Sequence, residues 1–259
     1  MFCRRIAATG VGLTALCLVV SVPADEISVR ADEWYPVNGV PEAPRPGFAI
    51  ELLSRIWADS GYSLDYRLAP WQQSIDQTRR GEVDCIVGAY RGDAPDLLFP
   101  EQHLIVDQVT FFVRDGEPWR YQGLASLEQT TVAVIEGYAY GEPLDSWLAG
   151  HQGDPELLVT SDNNALEDNI RALLEGQVDV LVESTLVMSA KLEEMKLTGR
   201  LISAGTLEER NPVYVACSPE GEKSREYLEL FDQGMEALRE SGELEEILER
   251  YSIPAEFVE

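Results

Sequence analysis

Positive charge is what this chain most lacks. Its 259 residues carry 20 Lys and Arg against 46 Asp and Glu, a formal net charge of −26. Lysine occurs only as Lys191, Lys196 and Lys223. Such a balance excludes nucleic acid and anionic membranes as partners, since both demand basic surface. It fits a well-hydrated acidic exterior or a salt-rich medium. Histidine is confined to His103 and His151, and neither has a partner at metal-ligand spacing. The motifs Gly-x-Ser-x-Gly and Ser-x-x-Lys and a glycine-rich phosphate loop are all missing, which leaves no common signature of a hydrolase or nucleotide enzyme. No cofactor and no metal are expected.

Long apolar runs are equally scarce. The run at 6–20 spans 15 residues, short of the roughly 20 that a spanning helix needs. Arg4 and Arg5 precede it and Val22-Pro23-Ala24 follows, so 1–24 reads as a cleaved secretory signal with the mature chain starting at Asp25. Leu16 before Cys17 argues against a lipoprotein signal. Cleavage removes two arginines and no acid, taking the net charge from −26 to −28 over 235 residues. A soluble, exported protein, periplasmic in a two-membrane cell, is the expectation. Only Cys85 and Cys217 of the four cysteines remain after cleavage, both in apolar runs. A disulfide and two buried thiols both fit.

What the sequence does contain is a repeat. Gly81-Glu82-Val83-Asp84-Cys85-Ile86-Val87 returns as Gly176-Gln177-Val178-Asp179-Val180-Leu181-Val182, each copy after a segment of helical periodicity. Helix, glycine stop, Val-Asp and a short apolar run spell an amphipathic helix followed by a buried parallel strand. Ligands of open α/β sheets bind beyond the carboxyl ends of such strands, which singles out 88–91 and 183–185. The remaining pattern predicts strands at 27–30, 62–68 and 131–135 and helices beginning at Phe48, at Trp71, and around Leu166, Tyr227 and Leu244. Extended runs at 106–113 and 213–216 suit two strands crossing between halves, and the alternation throughout is α/β. The length fits one two-lobed unit or two small domains.

Several pieces then fall in a familiar order: Gly47-Phe48-Ala49-Ile50-Glu51-Leu52, Gly81-Glu82-Val83-Asp84, the run 108–114, the stretch 132–137, Gly176-Gln177-Val178-Asp179, and the ending from Ala237 to Tyr251. Together they resemble the extracytoplasmic solute-binding proteins of amino-acid ABC transporters, the type II proteins of bacterial family 3. The resemblance implies two α/β lobes with parallel-rich sheets joined by a two-strand hinge. It divides the chain into 25–110 with 216–259, and 111–215. It further implies a monomer that captures a small polar ligand, amino-acid-like or carboxylate-bearing, and delivers it to an ABC permease, without catalysis. Two other readings remain: a periplasmic lyase with Glu183 as acid, and a sensing module for a separate receptor.

The family's carboxylate-clamping arginine lies in a stretch that here reads Gly92-Asp93-Ala94-Pro95-Asp96, with no arginine. Arg91, next to Ala89 and Tyr90, is the candidate substitute, or else a surface partner of Asp93 or Asp96. Glu183 replaces the family's ammonium-binding aspartate. Asp32, Trp34 and Tyr35 stand where an aromatic covers the ligand. Trp71, Gly137, Tyr138 and Tyr140 complete the expected site, the last three in a turn expected to open a helix whose amides hold an anionic end.

Overall fold

The computed structural model describes residues 25–161 and 164–257. The expected signal at 1–24, including Cys17, lies outside them. The alternating and periodic segments become β1 (Asp25–Ala31), α1 (Phe48–Asp59), β2 (Tyr62–Leu68), α2 (Trp71–Arg79) and β3 (Cys85–Ala89). With β4 (Ile105–Asp107) and β10 (Asn211–Cys217) these strands form a sheet in the order β2-β1-β3-β10-β4. The second sheet uses β5 (Val109–Arg114), β6 (Val132–Ile135), β7 (Leu157–Thr160), β8 (Val180–Ser184) and β9 (Leu201–Thr206) in the order β7-β6-β8-β5-β9. Both sheets have three parallel strands, with the crossing strands added antiparallel. This is the two-lobed type II binding-protein architecture. Helices α3 (Leu144–Gly150), α4 (Ala165–Glu175) and α5 (Thr185–Glu194) belong to the second half, and α6 (Ser224–Ser241) and α7 (Glu243–Arg250) return to pack on α1.

The repeat has a physical cause. Asp84 Oδ2 accepts hydrogen bonds from Ser28 N and Oγ at 2.8 and 2.6 Å, while Asp84 N donates to Ser28 Oγ at 2.9 Å. Asp179 makes the same three bonds with Thr131, each at 2.9 Å. Each Val-Asp thus locks the start of one parallel strand to its neighbour, β3 to the middle of β1 and β8 to the start of β6. The helix before each repeat is closed by a left-handed glycine, Gly81 at φ 70° and Gly176 at φ 74°, a conformation that an L side chain adopts only with strain.

The crossing run at 106–113 is divided: β4 ends at Asp107 in the first sheet and β5 begins at Val109 in the second, with Gln108 between. The return crossing lies at 207–210, and β10 sits wholly in the first sheet. The divisions expected at 110/111 and 215/216 therefore fall inside β5 and β10. Gln108 Nε2 donates to Leu207 O at 2.7 Å and Arg210 Nη2 to Val106 O at 3.0 Å, so the two connections run side by side.

Cys85 and Cys217 are register partners on β3 and β10 and are joined by a disulfide across 132 positions of sequence. The bond ties the returning strand to the central parallel strand of the first sheet. Closing a loop of that length in the unfolded chain is worth about 5 kcal/mol in the chain-entropy model. Replacing both cysteines by alanine should therefore lower the urea unfolding free energy of the oxidised protein by about 2 to 5 kcal/mol; an unchanged midpoint and slope would contradict this.

Candidate functional site

The carboxyl ends of β1, β3, β6 and β8 point to one place, where side chains of both lobes enclose a cavity. About 390 Å³ of it is free of atoms, part of that open to solvent. From the first lobe come Asp32 and Trp34 after β1, Trp71 at the start of α2, and Val87, Gly88 and Tyr90 around the end of β3. The second lobe supplies Val109 on β5, Tyr138, Ala139 and Tyr140 after β6, and Glu183 and Ser184 ending β8. Asn38 and Asp93 complete the lining. Gly88 stands at φ 88°, and a Cβ there would lie 2.9 Å from Asn38 Oδ1, so only glycine permits both the turn and the approach.

Glu183 is 1% exposed. Its Oε1 accepts from Trp34 Nε1 at 3.1 Å, across the lobe boundary, and from Ser184 N at 2.7 Å, while its Oε2 is buried without a partner. Burial raises its pKa to about 8; the two donors favour the charged form, and the Asp107 and Asp32 carboxyls oppose it. Asp93 accepts from Ala139 N of the other lobe at 2.7 Å and from Tyr90 N at 2.6 Å. Burial raises it too, to about 8, against those amides and the nearby Trp71 indole. That indole approaches without meeting hydrogen-bond geometry, leaving Trp71 Nε1 unpartnered. Asp32 accepts from Tyr138 OH at 2.5 Å and is raised to about 6, again chiefly by burial. Behind the cavity Asp107 accepts from Tyr90 OH and Ser184 Oγ at 2.6 and 2.7 Å and is likewise raised by burial. Burial also holds the hydroxyls of Tyr90, Tyr138 and Tyr140 well above their ordinary pKa, so they remain donors.

Among the described residues, no basic side chain lines this cavity. Beside it, Lys191 on α5 bridges to Glu33 of the first lobe at 3.2 Å and to Glu194 at 2.8 Å. Nine of the residues singled out in the sequence meet here: Asp32, Trp34, Trp71, Gly88, Tyr90, Tyr138, Tyr140, Glu183 and Ser184. Ala89 is buried inside β3, and Gly137 sits against Gln72 at the lobe boundary. Tyr35 turns away to Tyr251, ring centroids 6.1 Å apart.

Arg91 is a correction. It is exposed, donates to Pro100 O at 3.0 Å, and lies over the rings of Phe99 and Tyr214 at 4.9 and 4.5 Å. Neither the clamp nor an ion pair with Asp93 or Asp96 forms, because Asp93 turns into the cleft and Asp96 pairs with Arg79 at 2.5 Å. Cation–π contact with two rings holds the guanidinium outside. The turn after β6 is corrected as well. Its amides at Tyr140 and Gly141 donate to Asp145 and that of Ala139 to Asp93, so these donors are already taken by the protein's own carboxylates. Asn38 and Asp93 went unrecognised as site residues. The Asn38-Gly39 pair reads as loop, and Asp93 reads as a surface ion-pair partner for Arg91; the signal available was the placement of Asp93 in the stretch where the family clamps its ligand.

No curated protein matches the chain in sequence. Among solved structures, a histidine kinase sensor domain with similarity to periplasmic binding proteins aligns with TM-score 0.72 and 23% identity, over 89% of this chain and 97% of that one. The arginine-binding protein of T. maritima, as a mutant, aligns with TM-score 0.72 and 18% identity over 87% and 94%. An amino acid ABC transporter substrate-binding protein from Streptococcus pneumoniae, bound to L-arginine, gives 0.70 and 20% over 87% and 94%. At these identities the likeness is one of fold. The model of the bacterial extracellular solute-binding proteins, family 3, matches residues 27–254, and the chain belongs to that family.

Proposed function

We propose that this protein is an exported solute-binding protein that traps a small polar solute between its lobes and passes it to an ABC permease. The observation that carries the reading is the cavity at the switch points of both sheets, lined from both lobes and bridged by Trp34–Glu183, Tyr138–Asp32 and Ala139–Asp93 hydrogen bonds. A ligand touching both walls favours the closed arrangement by its differential affinity for it. The lobes, 25–107 with 211–257 and 109–206, turn about Gln108 and 207–210. Family membership supports binding over catalysis, and export through the segment 1–24 supports a periplasmic site. The protein acts as a monomer. The likeness to a kinase sensor domain supports a second reading, in which the liganded form is presented to a separate receptor.

A thermal-shift screen of amino acids, amines and carboxylic acids identifies the ligand, since one present at a hundred times its Kd adds about 2.7 kcal/mol. Small-angle scattering should then show a smaller radius of gyration with that ligand; an unchanged radius would overturn hinge closure. Intact-mass analysis of protein exported by its native host should give a chain beginning at Asp25, whereas an acylated Cys17 would contradict that.

Closure is also linked to protons. A carboxyl whose pKa rises on burial holds a proton in the closed fold that it has lost in the hydrated, unfolded chain. Stability from Glu183 is therefore full below its ordinary value of 4.5 and is lost as pH rises toward about 8. The loss for this one group is on the order of 4 kcal/mol by pH 8. Without ligand, the urea unfolding free energy should fall between pH 5 and 8, with a shallower slope in Glu183→Gln; equal slopes would show that the Glu183 carboxyl is not buried in solution.

A further inference from the structure

The cavity is furnished for one sign of charge. Two side-chain oxygens in it are buried without a hydrogen-bond partner, on residues 1% and 0% exposed: Glu183 Oε2, which carries the proton while the carboxyl is neutral and accepts once it is charged, and Asn38 Oδ1. Asp32 and Asp93 add two more carboxyl groups to the lining. The groups that would bind an anion are spent elsewhere. Arg91 is held outside by Phe99, Tyr214 and Pro100, the amides of Ala139, Tyr140 and Gly141 serve Asp93 and Asp145, and Lys191 is bound by Glu33 and Glu194. Two buried lining donors have no acceptor among the described residues, the weakly polar Trp71 Nε1 and the hydroxyl hydrogen of Tyr140, whose oxygen accepts from Ile135 N at 2.8 Å, and both are neutral. Indole and phenol rings of Trp34, Trp71, Tyr90, Tyr138 and Tyr140 make up the other walls, and such faces attract cations.

We propose that the ligand is a small organic cation, an amine without a carboxylate, whose ammonium group donates to Glu183 Oε2 with Asn38 Oδ1 as a further acceptor in the same cavity. This rests on the solute-binding reading given above. A zwitterion would bring its carboxylate into a cavity where no arginine or lysine meets it, and an uncompensated buried charge is strongly unfavourable. An ammonium instead neutralises an existing imbalance. Its arrival favours the charged form of Glu183, so protons leave as it binds. The titratable groups facing Glu183 are Asp32, Asp107, Tyr90, Tyr138 and Tyr140, with Asp93 in the same lining; the tyrosines stay protonated, and the carboxyls supply the protons.

The test uses pairs of probes that differ only in the carboxylate: agmatine against L-arginine, cadaverine against L-lysine, and phenethylamine against L-phenylalanine, each titrated calorimetrically into the mature protein at pH 7 in two buffers of different ionisation enthalpy. In at least one pair the amine should bind about 30-fold or more tightly than its amino acid, with net proton release. Glu183→Gln should weaken the amine by a similar factor while leaving the thermal melt of the free protein cooperative. Should Glu183→Gln fail to fold, proton release in the wild type decides. An amino acid binding as tightly as its amine, or amine binding without proton release, would overturn the inference and leave the solute-binding reading standing. Failure of every probe and of the wider screen to bind would overturn both.

Discussion

Everything at the junction of the two lobes depends on one electrostatic constraint: the closed form buries the Asp32, Asp93, Asp107 and Glu183 carboxyls around one cavity that, among the described residues, has no basic side chain in its lining. Four charges of one sign do not share a dry space. Either protons neutralise them, as the raised pKa values indicate, or a cation from outside does. The hydrogen bonds that the protein supplies, from Trp34, Tyr138, Tyr90, Ser184 and the amides of Ala139 and Tyr90, orient the carboxyls and satisfy some of their oxygens. They leave Glu183 Oε2 with nothing.

The fold holds these groups in register by paired devices. The Asp84–Ser28 and Asp179–Thr131 clamps fix the amino ends of β3 and β8 against their parallel neighbours, and that fixes by extension where the carboxyl ends emerge. Two short connections, at Gln108 and 207–210, join the halves side by side. The disulfide on β3 and β10 makes the first lobe rigid where the chain re-enters it.

Much of this was legible in the sequence. Periodicity placed β2 at 62–68 as it stands, and the Gly-x-Val-Asp repeat marked β3 and β8 and, through them, Tyr90 and Glu183. Elements without periodic contrast were not legible. Helix α5 follows β8 with no turn residue, because Ser184 both ends the strand and caps the helix through Val187 N at 3.3 Å. Its apolar residues Leu186, Val187 and Met188 are consecutive rather than spaced. Strand β7 is a partly exposed edge and carries little signal. Side-chain direction was the other blind spot. Arg91 and Asp93 both lie just past β3, and spacing alone cannot say that two aromatic rings draw the arginine outward while two amides draw the aspartate in.

The central claim is that a buried, protonated Glu183 awaits a cation. Side-chain carboxyl ¹³C shifts, followed by NMR through a pH titration with Glu183→Gln for assignment, read this directly. The free protein should show a Glu183 midpoint near 8, falling by about 2 units or more when an amine is bound. A midpoint in the ordinary glutamate range in the free protein, or one unmoved by the bound ligand, would contradict the account.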